Sequence, residues 1–352
     1  MKKRIYFFLL TPLFSFSQGN LDTIFKNAAI PGVQLVFTEN SKTQSHYYGR
    51  LNAEERGSVN GSTVFQAASL SKCVLAYIVL RLAGKKIIAL DTPLSRYYTY
   101  DRIKTDAAAR QITARMVLQH TTGFPNWAYN PMSKEWAKSV LETKQTPGKF
   151  FSYSGEGFMY LQLAVESLLN QSLEKIALRE VFMPLNMKSS SFLWQARFNN
   201  SGAYGHNKAG EVTGRTEYFL PAAAYSLLTT AADYSIFVQA LMDGRGLSPA
   251  MHKQLFTDTI SIRKKDTIAG EAGSHISWGL GVGIQRSEPG TAIWHWGDNG
   301  DFKSFFIGFP ALRKSLVYFS NGENGLEVLP KVLDYYFGKQ NWWCLRWLKK
   351  EF

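Results

Sequence analysis

The run Val64-Phe65-Gln66-Ala67-Ala68-Ser69-Leu70-Ser71-Lys72-Cys73-Val74-Leu75 places a serine and a lysine three residues apart where an apolar helical pattern begins. At that spacing both side chains share one helical face. A serine hydroxyl is a weak nucleophile at neutral pH, and a neighbouring amine that accepts its proton activates it. The helix start adds unpaired N–H groups and positive potential suited to developing negative charge. The same spacing also occurs on ordinary solvated helices, so its meaning rests on what other segments bring to it.

On its N-terminal side, Val33 to Thr38 and Ser45 to Gly49 carry strand-type residues around the polar turn Glu39-Asn40-Ser41-Lys42, the pattern of a hairpin. Residues 20–27 read as a short amphipathic helix stopped at Ile30-Pro31-Gly32. On its C-terminal side, the apolar pattern continues through Leu82, with Gly84 as the expected C′ residue. Helices are predicted over 113–118, 158–169, 173–182 and 231–242, so the region from about Lys85 to Thr259 is helix-rich. From Ile276 the pattern turns to strands at 278–284, 292–297, 304–309 and 315–320, followed by a helix over 326–337. Strands at both ends with helices between predict a mixed α/β (α+β) fold. One sheet domain is built from residues 18–84 and 275–352, with an all-helical domain inserted at 85–274.

The length of 352 residues, with 45% hydrophobic and 19% charged residues, suits a globular chain of roughly two domains. Aromatic residues make up 14%, which fits a carbohydrate-facing or apolar pocket and equally a large core. Lys2-Lys3-Arg4, an apolar run from Ile5 to Phe16 and small residues near Ser17 form the layout of a secretory signal at residues 1–17. That run is too short to span a bilayer, and no other stretch is long and apolar enough. Losing it takes three positive charges from the formal +13 and leaves +10. A basic exported chain favours anionic surfaces such as cell wall or lipid headgroups. Nucleic acid is disfavoured, because no zinc-finger spacing or aromatic RNA-binding signature is present. Cys73 and Cys344 do not make a disulfide framework, and Cys73 reads as a small buried hydrophobe.

Two further segments bear on Ser69 and Lys72. Pro147-Gly148-Lys149-Phe150-Phe151-Ser152-Tyr153-Ser154-Gly155 is a turn-rich loop feeding a helix, and a tyrosine there can share a proton with a lysine amine. His295-Trp296-Gly297-Asp298 ends a strand, where a backbone N–H can meet an oxyanion, a glycine lets substrate approach, and His295 would line the pocket. Each alone has an ordinary reading as a half-buried tyrosine or a strand histidine.

Together these three segments resemble the serine β-lactamase and penicillin-binding-protein superfamily, in particular its class C-like branch of β-lactamases, D-alanyl-D-alanine carboxypeptidases, D-aminopeptidases and esterases. The likeness covers essentially the whole chain after the signal segment. The S-x-x-K element corresponds to Ser69-Leu70-Ser71-Lys72, the tyrosine element to Tyr153-Ser154-Gly155, and the third-strand element to His295-Trp296-Gly297. Leu118 to Pro125, Met183 to Met187 and Leu227 to Tyr234 are family-like as well. The resemblance implies an antiparallel sheet flanked by helices, with the active site in the cleft between sheet and helical domains. It also implies roles: Ser69 as acylated nucleophile, Lys72 as its proton acceptor and Tyr153 as relay to the leaving group. The backbone N–H groups of Ser69 and Asp298 would form the oxyanion hole. No metal or organic cofactor is implied, and the bacterial periplasm or exterior is the expected location.

Two positions depart from the β-lactamase pattern. Gly155 stands where Tyr-x-Asn would supply an amide that orients the acyl side chain, and His295 stands where Lys-Thr-Gly would supply a fixed cation. A histidine is mostly neutral at pH 7, so recognition of a carboxylated β-lactam weakens, and an ester, amide or D-peptide substrate gains. Gly155, His295 and Gly297 are the expected substrate-binding positions.

Other signals carry less. Gly279, Gly281 and Gly283 are read as strand glycines rather than a nucleotide loop. No G-x-S-x-G or His-Glu-x-x-His is present, His46, His206 and His252 lack ligand spacing, and His120 is expected to brace its turn. The tail from Trp342 to Phe352 is expected to pack its apolar side on the protein, with a membrane interface as the other option. Two functions fit: an exported serine hydrolase acting on a small molecule, peptide or ester, with peptidoglycan-derived material among the candidates, or a non-catalytic relative that binds peptidoglycan fragments in the same cleft. The oligomeric state is left open.

Overall fold

The strand segments at both ends of the chain meet in one antiparallel sheet in the computed structural model, which describes residues 19–257, 259–262 and 272–351. The expected signal at 1–17 lies outside the described residues. The sheet strands are β1 (Gly32–Glu39), β2 (Lys42–Gly49), β3 (Ile260–Ser261), β4 (Ile276–Trp278), β5 (Gly283–Ser287), β6 (Gly290–Asp298), β7 (Lys303–Phe309) and β8 (Lys314–Ser320). Their spatial order is β2-β1-β8-β7-β6-β5-β4-β3, so the first strand pairs with the last across the register Val33 to Ser320.

Alternation along each strand feeds two separate cores. Val33, Leu35, Phe37, Phe305, Ile307, Leu316 and Tyr318 face one apolar layer, whereas Val36, Phe306, Val317 and Phe319 face the other. The first layer is closed by α1 (Gly19–Asn27) and by two helices near the C-terminus. The second holds α2 (Ser71–Gly84), α3 (Ala114–Leu118), α4 (Gly155–Leu169), α5 (Leu173–Ala177), α6 (Ala231–Asp243) and α7 (Pro249–Thr257). The C-terminal helices are α8 (Leu329–Phe337) and α9 (Trp343–Glu351). With both faces covered, the central strands are buried on both sides and largely apolar. Helix α2 is buried from Ser71 to Leu80, as expected of a helix apolar all round.

Several details differ from expectation. The segment 85–274 is not all helix: Leu228–Thr229 pairs with Phe65–Gln66, Gly205–His206 pairs with Val212–Gly214, and β3 joins the main sheet. Within the same segment, α6 packs on the sheet, with Gln239 donating to Ser315 Oγ at 2.7 Å. The stretch 278–284 is not one strand. The chain reverses between Trp278 and Gly283, and Gly281, at φ +91°, donates its N–H to the Leu118 carbonyl. A Cβ on Gly281 would lie 2.2 Å from Ala76 Cβ, so the glycine serves the approach of this turn to α2 rather than a strand. At the end of α2 the left-handed residue is Lys86, φ +60°, and Gly84 remains helical. Cys73 and Cys344 are both buried and free.

The aromatic tail packs inward: Trp342, Trp343, Cys344 and Trp347 are buried, while Arg346 and Lys349 are exposed. Trp347 meets Phe151, Trp294 and Trp296 at ring-centroid distances of 6.0, 5.8 and 5.6 Å. Replacement of Trp347 by Ala is therefore expected to lower the stability by about 3–5 kcal/mol, read from urea unfolding. A loss below about 1 kcal/mol would mean that α9 is not part of the core.

Candidate active site

The segment Ala67-Ala68-Ser69-Leu70-Ser71 is fastened by Leu227, Ser304 and Tyr234 and by its own Ser71 before α2 begins. Ala67 N–H donates to the Leu227 carbonyl at 2.7 Å, and Ser304 Oγ on β7 donates to the Ala67 carbonyl at 2.7 Å. Ser71 Oγ donates to the Ala68 carbonyl at 2.5 Å and accepts from Leu227 N–H at 3.0 Å, and Tyr234 donates to the Leu70 carbonyl at 3.0 Å. This hold keeps Ala68 at φ +48°, a left-handed conformation that costs a non-glycine residue about 1–3 kcal/mol. Ser69 sits in the 3₁₀ turn Ala68–Leu70, with its side chain partly open to a cavity of about 270 Å³.

Lys72, one helical turn on, is 1% exposed. Its Nζ lies 2.9 Å from Ser69 Oγ and donates to the Ala224 carbonyl at 2.7 Å. Burial lowers its pKa to about 7, and no carboxylate offsets that shift. The ring of Tyr153 lies 5.0 Å from the same nitrogen. Burial raises the Tyr153 pKa, its hydrogen bond to Ser69 opposing the rise, so the phenol stays protonated.

Tyr153 is held by His120. The His120 ring stacks on it at 4.3 Å, the His120 carbonyl accepts from Ser152 N–H at 2.7 Å, and His120 Nδ1 accepts from Ser154 N–H at 3.0 Å. His120 thus braces the tyrosine loop as well as its own turn, and the accepting Nδ1 places its ring proton on Nε2. Ser154 then caps α4, accepting from Gly157 N–H at 3.0 Å.

His295 does not line the cavity. It is 0% exposed on β6, behind Tyr153 at 6.2 Å between ring centres, and its Nδ1 donates to the Trp296 carbonyl at 2.7 Å. Burial and the proximity of Lys72 lower its pKa to about 3, so the imidazole is neutral. Gly297 does not face the cavity either. A Cβ there would lie 2.6 Å from the Ala67 carbonyl oxygen and 3.0 Å from Ala68 Cβ, so the glycine lets β6 lie against the segment before Ser69. Alternation on β6 explains both positions, since His295 and Gly297 share the face of Ile293. Asp298 lines the cavity, with its carboxylate accepting from Lys303 Nζ at 2.5 Å and from Gly300 N–H at 2.8 Å.

Gly155 lies under the indole of Trp127, which lines the cavity together with Asn126, Tyr218, Tyr225 and Asn299. Sequence patterns did not single out these five residues. They reach Ser69 from loops distant in sequence, and only the absent side chain at Gly155 hinted that something fills its place. Asn299 ties this wall together, its Nδ2 donating to Gln66 Oε1 at 2.9 Å and to Tyr218 Oη at 3.0 Å. Among the described residues no cluster of His, Cys, Asp or Glu could hold a metal, and no helix is long and apolar enough to cross a membrane.

Known proteins share this architecture at low identity. Protein flp of Staphylococcus aureus (strain MW2) is 22% identical over 338 residues, covering 91% of this chain and 66% of its own length, so the chain spans about two thirds of that relative. A D-stereospecific amidohydrolase from Streptomyces sp. superposes with a TM-score of 0.76 at 18% identity, over 92% of this chain and 98% of that one. The D-alanine carboxypeptidase AmpC from Burkholderia cenocepacia gives 0.74 at 19% identity, over 90% and 97%. A family model described as Beta-lactamase matches residues 19–336, and over that span the chain belongs to the Beta-lactamase family.

Proposed function

We propose that the chain is an exported serine hydrolase that acylates Ser69 and hydrolyses an ester or amide. The observation that carries this reading is the buried Lys72 amine, with a pKa of about 7, in contact with Ser69 Oγ. An ordinary lysine would be protonated and useless as a base, whereas burial lowers the pKa of this one to about 7 and brings the neutral amine within reach at neutral pH. The neutral amine keeps one N–H on the Ala224 carbonyl and turns its lone pair to the Ser69 hydroxyl.

Ser69 Oγ attacks the substrate carbonyl as Lys72 takes its proton. The oxyanion is received by the backbone N–H groups of Ser69 and Asp298. Collapse breaks the bond to the leaving group, which takes a proton through Tyr153 as Lys72 returns its own. Water then attacks the acyl-serine ester by the reverse proton path, releasing the acid and regenerating Ser69. Because Tyr153 stays a phenol, it relays protons and Lys72 is the base.

The substrate follows from the cavity. Gly155 offers no side-chain amide, and Lys72 is the one basic residue among the described cavity-lining residues. Esters, simple amides and D-configured peptides are therefore favoured over carboxylated β-lactams. The names of the amidohydrolase and the carboxypeptidase point to similar bonds. The layout of residues 1–17 supports delivery to the periplasm or the exterior.

A fluorophosphonate probe is expected to add once to the wild type and not to Ser69→Ala, read by intact mass. Equal labelling of both would remove Ser69 from the chemistry. Binding of muropeptides with no covalent adduct would establish the non-catalytic role instead. Lys72→Ala should lower kcat/KM for a p-nitrophenyl ester by about 10²–10⁴ while the circular dichroism spectrum is retained.

The same assay should depend on pH with a defined sign. The lysine acts when deprotonated, so kcat/KM should rise with pH through a midpoint near its pKa of about 7 and then level off. The raised pKa of Tyr153 keeps the relay intact on the alkaline side. A profile flat across neutrality would rule out Lys72 as the base.

A further inference from the structure

Family members with Tyr-x-Asn present an amide to the acyl side chain at the position held here by Gly155. In this chain that space is filled from another loop. An ideal Cβ on Gly155 would lie 2.4 Å from Trp127 Cζ2 and 2.5 Å from Cη2, so the indole rests directly on the glycine. No other residue type fits beneath the ring where it stands.

The ring is held there by its neighbours. The Asn126 carbonyl accepts from both Gly155 N–H and Glu156 N–H at 3.1 Å, and Asn126 Oδ1 accepts from Gly155 N–H at 2.9 Å. Ala128 N–H donates to Glu156 Oε1 at 3.0 Å. Glu156 is itself fully buried and paired with Arg102 through contacts of 2.6 and 3.0 Å. Residues on both sides of Trp127 are therefore clasped to the start of α4, one of them through a core ion pair.

Trp127 also begins a row of rings. It meets Tyr225 edge to face at 5.9 Å, and Tyr225 tilts against Tyr218 at 5.8 Å, all three lining the cavity that opens on Ser69. Asn126 Oδ1 accepts from Gly155 N–H, which ties this cavity-lining side chain to the start of α4. This row of rings gives one side of the cavity aromatic contact, beside the polar groups of Gln66, Asn126 and Asn299.

We propose that Trp127, seated on Gly155, sets the acyl specificity of the enzyme: it replaces an amide subsite by an aromatic wall and selects substrates whose acyl group is apolar or aromatic. The inference rests on the reading of Ser69 as an acylated nucleophile. A phenyl or alkyl acyl group gains contact with the indole that a small polar acyl group does not.

The test uses p-nitrophenyl esters that share one leaving group and differ in the acyl part: phenylacetyl, butyryl and N-acetylglycyl. The wild type should prefer phenylacetyl to N-acetylglycyl by about tenfold or more in kcat/KM. Trp127→Ala should collapse that ratio, and Trp127→Phe should keep most of it. Gly155→Ala supplies an independent arm, since the new methyl must displace the indole and should also collapse the ratio without altering Trp127 itself. Fluorophosphonate labelling of Ser69 is read on every variant, so a misfolded protein is recognised and the Gly155→Ala and Trp127→Phe results still decide. A ratio near one in the wild type, or one unchanged in Trp127→Ala and Gly155→Ala with Ser69 labelled, overturns the role of Trp127 alone. Absence of labelling and of ester turnover in the wild type overturns the hydrolase reading, and this inference with it.

Discussion

An amine is expensive to bury as a cation and gains little from burial unless it is meant to be neutral. Lys72 is enclosed beside Ser69 with a carbonyl and a hydroxyl as its polar contacts and aromatic rings around it. The surrounding architecture maintains that enclosure. Helix α2 is buried on every side, α4 brings Phe158 to 5.9 Å from the amine, and the Tyr153 loop closes over it. The edge of β6 and β7 fixes the residues just ahead of the serine through Gly297 and Ser304. A carboxylate anywhere in this shell would restore the charge on Lys72 and leave Ser69 without a base.

The positions of Ser69, Lys72 and Tyr153 were legible because each lies in a short local pattern, and the resemblance tied those patterns together. The strands were legible in type because alternate residues feed two apolar layers. What escaped was direction. Whether His295 looks into the cavity or behind Tyr153 depends on which face of β6 meets the helices, and this is decided by tertiary packing. The same holds for Gly297, which reads as a place for substrate but accommodates the Ala67 backbone. The reversal between Trp278 and Gly283 was hidden because both arms of that turn are apolar, and Gly281 mimics a strand glycine until its positive φ is seen. Trp127 was invisible because its relation to Gly155 spans separate loops.

Neutral imidazoles at both His120 and His295 give the tyrosine a dry setting without adding charge. Burial and the nearby Lys72 lower the pKa of each, and their opposite tautomers follow from the backbone groups they meet. A fixed cation at position 295 would lie against the same ring and depress the amine further, so the departure from Lys-Thr-Gly changes the electrostatics of the base.

The pairing of β1 with β8 also sets a timetable. Residues 32–39 pair with β2 early but stay without their second partner strand until residues 314–320 have been made, and that pairing closes nearly the whole chain into one loop. Contacts so distant in sequence form slowly. A nascent chain built this way remains unfinished, and threadable through a narrow pore, for most of its synthesis. The order of strands thus keeps the sheet open until its last strand is made.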